Sequence, residues 1–287
     1  MTLARPHSRK PEQFTPDLVL YHADCTDGLG AAWALWKRFP SARFLAVKHG
    51  FPPPEGLDGR RIVIVDFSYA RHELEAMAKQ AANLVVLDHH ITAERALAGL
   101  PFAHFDQKKS GAVLAWEWGH DTPAPWLLQY IQDKDLWSWA LPMSREINAA
   151  LASHPFDFRT WDGFTQDTLA AEGRAILRYE NELVGKITEG AQIISFHGHA
   201  VPVVQSAILN TQIGARLTPG HPFCVIWHER DGRRYYSLRS AEEGADVAAI
   251  ATAYGGGGHA HAAGFSLPME PGEHLPLDPL ARKSRGT

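Results

Sequence analysis

The chain reads as an α/β protein: a parallel sheet flanked by helices, joined by a linker helix to a second, smaller α/β domain. Three observations predict this. Short apolar runs rich in β-branched residues alternate with helix-forming segments, the pattern of βαβ units. Several of those runs stop abruptly on acids or imidazoles. A long helical stretch of mixed charge then precedes a hairpin pattern and a run of four glycines, Gly255 to Gly258.

In order, residues 1–16 carry basic residues and prolines but no apolar signal core, and read as a disordered leader. Asp17 to Tyr21 is a first strand. It runs into the loop His22-Ala23-Asp24-Cys25-Thr26-Asp27-Gly28-Leu29-Gly30, whose glycines permit a tight turn and close approach to a ligand. Ala31 to Lys37 is rich in helix formers, and the helix ends at Pro40. Ala42 to Val47 is a second strand, and Pro52-Pro53-Pro54 stiffens the loop after it. Arg61 to Ser68 is a third strand, ending on Asp66, and Arg71 to Ala82 is a helix with Leu74, Met77 and Ala78 near one face. Asn83 to Leu87 is the fourth strand and breaks into Asp88-His89-His90.

Ser110 to Trp118 and Pro125 to Gln132 read as helices, followed by Asp133-Lys134-Asp135 and two tryptophans, Trp137 and Trp139. Thr168 to Glu189 is the connecting helix. The boundary near Glu189 gives a first domain over 17–189 and a second over 190–270, with a frayed tail over 271–287. The second domain opens with strands at Ala191 to Phe196 and Val201 to Gln205. Strands at 222–228 and 234–240 flank Asp231-Gly232, a hairpin signal. Asp246 is placed to cap a short helix ending at Tyr254. Four successive glycines are costly in chain entropy, so a loop whose bare N–H groups approach phosphate oxygens is the better reading of 255–258.

The strand ends carry the functional signal. His22, Asp24 and Asp27 follow the first strand, Asp66 ends the third, and Asp88, His89 and His90 end the fourth. In a parallel sheet these ends share one edge, where ligand sites of open α/β sheets lie. Separate turns would not supply acids and imidazoles at each of them, so they converge on a metal site.

Composition limits the alternatives. A net charge of −4 argues against a protein whose main task is gripping long nucleic acid, which rests on many cationic contacts to phosphate. Two cysteines, Cys25 and Cys224, are too few for a disulfide framework and point to a reducing, cytoplasmic setting. No stretch has the roughly 18 apolar residues of a spanning helix, so no membrane partner is expected.

Together these motifs resemble the DHH phosphoesterase superfamily with its DHH-associated C-terminal domain, over nearly the whole length from Asp17 to Phe265. Asp88-His89-His90 matches the naming triplet. The His22–Gly28 loop looks like the first motif, Asp66 the second and Asp133 the fourth, and Gly255 to Gly264 resembles the glycine-rich signature of the second domain. Ser237-Leu238-Arg239-Ser240 matches a segment that often precedes that signature. The chain is most similar to the oligoribonuclease and cyclic-nucleotide phosphodiesterase branch. There are two departures. Cys25 and Thr26 separate Asp24 from Asp27, where the family commonly has a single residue between two aspartates. Asp133 and Asp135 compete for the last metal position, with Asp133 favoured.

The resemblance implies two divalent ions, with manganese preferred for a site of carboxylates and imidazoles. His22, Asp24 and Asp27 would surround one, Asp66 would bridge, and His89 and Asp133 would complete the other. Asp88 would orient its neighbours and His90 would face the scissile phosphate as donor or acid. Arg239, Gly256, Gly257, Gly258 and His259 would hold the far end of the substrate. The implied activity is hydrolysis of short oligoribonucleotides or linear dinucleotides to mononucleotides. Cyclic-nucleotide phosphodiesterase, 3′-phosphoadenosine-type phosphatase, exopolyphosphatase and a non-catalytic nucleotide sensor are the alternatives. A homodimer is admissible. A cysteine enzyme is disfavoured, and Cys25→Ser is expected to stay active.

Overall fold

The computed structural model describes residues 14–48 and 50–269. The expected leader lies outside the described residues except at its end, where Phe14 is buried with its ring centroid 5.6 Å from that of Trp118. The expected tail over 271–287 lies outside them. The chain divides into two compact units between Ile176 and Leu177.

The first unit runs β1 (Leu18–His22), α1 (Thr26–Arg38), β2 (Arg43–Val47), β3 (Arg61–Val65), α2 (Arg71–Gln80), β4 (Asn83–Asp88), α3 (Ile91–Ala96) and β5 (Ala103–Phe105). It continues through α4 (Gly111–Gly119), α5 (Trp126–Asp135), α6 (Ser144–Ser153) and α7 (Phe158–Asp162) into α8 (Gln166–Glu189). Five strands form an all-parallel sheet in the order β2-β1-β3-β4-β5. Successive strand side chains point to opposite faces. Val19, Val63, Val65, Val85 and Leu87 enter one core with residues of α1, α4, α5 and α6. Leu18, Leu20, Ile62, Ile64, Leu84 and Val86 enter another with Leu74 and Met77 of α2. Both faces are covered, which is why these strands are apolar without alternation.

Two boundaries differ from the sequence reading. Helix α1 begins at Thr26, so Gly28 and Gly30 are helical. Helix α5 continues through Asp135, placing all three residues of Asp133-Lys134-Asp135 in its last turn. The short elements β5, α3, α6 and α7 were not expected; pieces of three to ten residues owe their structure to packing more than to local preference.

The second unit holds the remainder of α8, then β6 (Gln192–Phe196), β7 (His199–Gln205), α9 (Asn210–Leu217), β8 (Cys224–Arg230), β9 (Arg233–Arg239), α10 (Val247–Ala253), β10 (Gly257–His259) and β11 (Ala262–Pro268). Its six strands form a mixed sheet, β10-β11-β9-β8-β7-β6, over a core that includes Phe196, Phe223, Tyr236 and Phe265. Asp231 and Gly232 turn β8 into β9 with φ of 50° and 70°, as a two-residue hairpin of right-twisted strands requires. Asp246 caps α10 by accepting from the N–H groups of Ala248 and Ala249. No helix among the described residues is long and apolar enough to cross a membrane.

Candidate metal centre at the carboxyl edge of the parallel sheet

Strands β1, β3 and β4 are neighbours in the parallel sheet, so their carboxyl ends share one edge. His22 closes β1, Asp66 comes directly after β3 and Asp88 closes β4. Asp27 stands in the first turn of α1, and Asp135 ends α5. Asp66 adopts φ 63°, a left-handed conformation uncommon for a residue with a side chain, and is 1% exposed.

His89 is the hub. Its Nε2 lies 3.2 Å from Asp66 Oδ1 and 3.6 Å from Asp27 Oδ2, and its Nδ1 lies 3.6 Å from Asp135 Oδ2. The other oxygen of Asp66, Oδ2, lies 3.6 Å from His22 Nδ1. Asp66 therefore stands between two donor groups, His22–Cys25–Asp66 and Asp27–His89–Asp135. Within each, the ligand atoms are all within 4.8 Å of one another. Asp66, His89 and His90 form a third such group.

The start of α4 is built into the site. Asp27 Oδ2 accepts from the Gly111 N–H at 2.6 Å and Oδ1 from the Ala112 N–H at 3.0 Å. The free N–H groups and positive end of a helix are suited to a buried carboxylate. A Cβ at Gly111 would stand 2.6 Å from Asp66 Cβ and 2.8 Å from Asp66 Oδ1, so only glycine lets the helix come this close. The sequence reading missed Gly111; its signal was Ser110, a helix cap, followed directly by glycine.

Asp88 is fully buried and engaged by its neighbours. Its Oδ1 accepts from the His89 N–H at 2.7 Å and the His90 N–H at 3.2 Å, and lies 2.7 Å from His90 Nδ1. Its Oδ2 accepts from Ser68 Oγ at 2.5 Å. Asp88 thus orients the two histidines and leaves His90 Nε2 clear of this contact. Ser68, which completes the clamp, was also missed. A cavity of about 340 Å³ lies beside these groups, lined by His22, Asp66, Ser68, Asp88 and His90 among others.

The charges are set by burial and by one another. Burial, then the charges of Asp66 and Asp135, push the Asp27 carboxyl well above the usual carboxylate range. Burial would raise Asp66 too, but His22, His89 and Asp27 outweigh it and hold Asp66 at about 2. The Asp66 carboxylate, then the Cys25 thiol, raise His22 to about 10. The Asp88 carboxylate raises His90, and burial raises Asp135.

Not every expected residue joins the cluster. Asp24 points to solvent and pairs with Lys48 at 2.8 Å, its side chain 75% exposed. Asp133 is spent on the loop after α5, where Oδ1 accepts from the Ala140 N–H at 2.9 Å and Oδ2 from the Leu141 N–H at 3.2 Å. Asp135, not Asp133, faces His89. Cys25, not among the expected site residues, stands beside His22 and Asp66.

In the second unit Arg239 ends β9, half-buried, with Nη1 donating to the Leu238 carbonyl at 2.9 Å. Burial lowers the pKa of its guanidinium. The glycine run is not wholly a loop: Gly257, Gly258 and His259 pair antiparallel with Gly264, Ala263 and Ala262. A Cβ on Gly256 would meet the Gly264 carbonyl oxygen at 2.2 Å, and one on Gly258 the Ala263 Cα at 2.5 Å, so tight backbone packing itself demands glycine at both.

The first-unit cluster suits a cation. Asp27 and Asp66, each 1% exposed, bring two buried carboxyl groups together, and Asp66 Oδ2 is buried with no hydrogen-bond partner. The His22 imidazole lies 3.6 Å from that oxygen, beyond hydrogen-bond distance, so the oxygen keeps a lone pair that a bound cation would satisfy. The donors are oxygen and imidazole nitrogen with one sulfur, which fits a divalent metal.

No family model matches the chain. It is 31% identical over 283 residues to the uncharacterised protein R106 of Acanthamoeba polyphaga mimivirus, a match covering 88% of this chain and 67% of that protein. It is 35% identical over 111 residues to the oligoribonuclease NrnB of Bacillus subtilis, covering 38% of this chain and 27% of that protein. The fold is shared with a pGpG-specific phosphodiesterase, PggH, of Vibrio cholerae (TM-score 0.51, 14% identity, 95% of this chain and 97% of that one). It is shared as well with an exopolyphosphatase-related protein of Bacteroides fragilis (TM-score 0.52, 12% identity, 90% and 87%). The chain thus belongs to one family with R106, shares the fold of these phosphoesterases, and carries at its sheet edge the acids, histidines and oriented Asp88-His89-His90 triplet that resemble the DHH phosphoesterase superfamily.

Proposed function

We propose that the protein is a divalent-metal-dependent phosphodiesterase that hydrolyses short oligoribonucleotides or linear dinucleotides to mononucleotides. The observation that carries this reading is Asp66, buried between two imidazoles with one oxygen toward each. The metal-binding groups are His22 and Asp66 on one side and Asp27, His89 and Asp135 on the other, with Asp66 shared. Bound ions would supply Lewis-acid charge to the phosphoryl oxygens and acidify water, as in two-metal phosphoesterases.

The chain's own residues do the rest. The first amides of α4 hold Asp27 in place. Asp88 fixes the His90 ring through Nδ1, so Nε2 is the nitrogen that can donate to a phosphoryl oxygen or protonate the departing ribose oxygen. The side chain of His90 is 43% exposed and lines the cavity, within reach of a substrate phosphate. The substrate class is supported by NrnB, an oligoribonuclease, and by PggH, which acts on a linear dinucleotide, and the −4 net charge disfavours long polymers.

The test is to incubate purified protein and manganese with labelled RNAs of roughly two to five residues, with cyclic mononucleotides and with polyphosphate. Release of mononucleotides from the short RNAs is expected, and its loss in Asp66→Asn. Turnover of polyphosphate alone would overturn the substrate assignment.

A further inference from the structure

Cys25 occupies the N-cap of α1, with φ −126° and ψ 134°, where Ser, Thr, Asp or Asn commonly takes up a free helix N–H. Its side chain makes no such bond. The sulfur instead lies with a nitrogen of His22 and an oxygen of Asp66, all within 4.8 Å of one another. A second observation points the same way. Asp66 is 1% exposed, and its Oδ2, the oxygen 3.6 Å from His22 Nδ1, is buried without a hydrogen-bond partner. One group thus gathers a thiol, an imidazole and an unsatisfied carboxylate oxygen.

We propose that Cys25 is a thiolate ligand of the divalent ion held by His22 and Asp66, and that its sulfur biases this position toward zinc, cobalt or cadmium over magnesium. The inference rests on the metal-dependent reading above and gives it a specific chemistry. Thiolates select softer ions, whereas carboxylates and carbonyls suit magnesium, calcium and manganese. On binding, the sulfur–metal bond forms as the thiol proton leaves to solvent, with no change of oxidation state. The neighbouring group, Asp27–His89–Asp135, offers only oxygen and nitrogen. The two positions are therefore chemically unequal: one takes a borderline-soft ion, the other a hard one. On this proposal Cys25→Ser is not a neutral control, contrary to the expectation that it stays active.

Cys224 supplies the internal control. It is fully buried in the second unit, and burial pushes its thiol up to about 12. Metal-free full-length protein is titrated with Co²⁺, reading sulfur-to-cobalt charge-transfer absorption, and with Zn²⁺ and Mn²⁺ by calorimetry. The expected result is a charge-transfer band in the wild type and in Cys224→Ser that is absent from Cys25→Ser. Zn²⁺ affinity should fall at least about tenfold in Cys25→Ser. Cys25→Asp, which restores an anionic ligand without sulfur, should bind again with its preference moved toward Mn²⁺. Far-ultraviolet circular dichroism of each variant separates lost ligation from lost fold. Cobalt binding without a band, or a band and Zn²⁺ affinity unchanged in Cys25→Ser, overturns the thiolate assignment and leaves the metal-dependent reading standing. A wild type that binds none of the three ions overturns that reading as well.

Discussion

Asp133 and Asp135 lie two positions apart on one helix and have opposite fates. Asp133 holds two loop amides, so Asp133→Asn should lower the melting temperature by weakening charge-assisted bonds worth about 1.5–3 kcal/mol, with metal affinity unchanged in calorimetry. Asp135→Asn should do the reverse, weakening metal binding with little change in melting. Asp88→Asn tests orientation. Its carboxylate takes two backbone N–H groups, the Ser68 hydroxyl and His90 Nδ1, and an amide nitrogen on either side would face a donor. Losing such a supporting group costs roughly 10–100-fold in activity or metal affinity, here expected in kcat more than in KM. Steady-state kinetics would decide it. Near-wild-type kcat in Asp88→Asn would show that His90 needs no such alignment.

At the level of elements, the strands were legible because β1, β3 and β4 are covered on both faces and so read as unbroken apolar runs that end in polar residues. The site histidines and Asp66 were legible for the same reason. The choice between Asp133 and Asp135 was not, because it depends on helix phase against a partner. Ile131 and Leu128 meet α1 at Gly30, and Asp135 lies four and seven residues beyond them on that stripe, so it reaches the end of α1 where Asp27 sits. The sequence carried that stripe without saying which helix it would face. Gly111 was hidden because its role is an approach of α4 to two carboxylates distant in the chain. Gly111→Ala should push α4 away from Asp66 and Asp27 at an overpacking cost of about 1–3 kcal/mol, and disturb metal binding more than it lowers the melting temperature. The starts of β1 and β3 make a separate prediction. Arg61 donates Nη2 to Asp17 Oδ1 at 2.6 Å and Nε to Oδ2 at 3.0 Å, and that hydrogen bonding holds the Asp17 carboxyl below its ordinary value. A depressed folded-state pKa contributes stability above the unfolded value, about 3.9, and loses it as pH falls through the folded one. Acid unfolding of Asp17→Asn should therefore begin at higher pH than that of the wild type, while the two differ least at the lowest pH.

Across the whole molecule, each unit has its own core, and the candidate metal centre belongs to the first. That allocation has a thermodynamic consequence. An ion that binds the folded site and not the unfolded chain stabilises by RT ln(1 + [L]/Kd), about 2.7 kcal/mol at a hundredfold excess over Kd. For a domain of the first unit's size this corresponds to a rise of roughly 5–11 °C. The chain supplies its own reporter, since Trp227 alone of the nine tryptophans lies beyond Ile176. Tryptophan fluorescence during heating therefore follows chiefly the unit that holds the site. Manganese should raise the fluorescence transition of the wild type and leave that of Asp66→Asn where it was. The variant should fold without metal, because replacing one carboxylate by an amide also relieves its repulsion with Asp27. An equal rise in both proteins would place the responsible ion away from Asp66, and the sheet edge would lose its claim to be the centre of the chemistry.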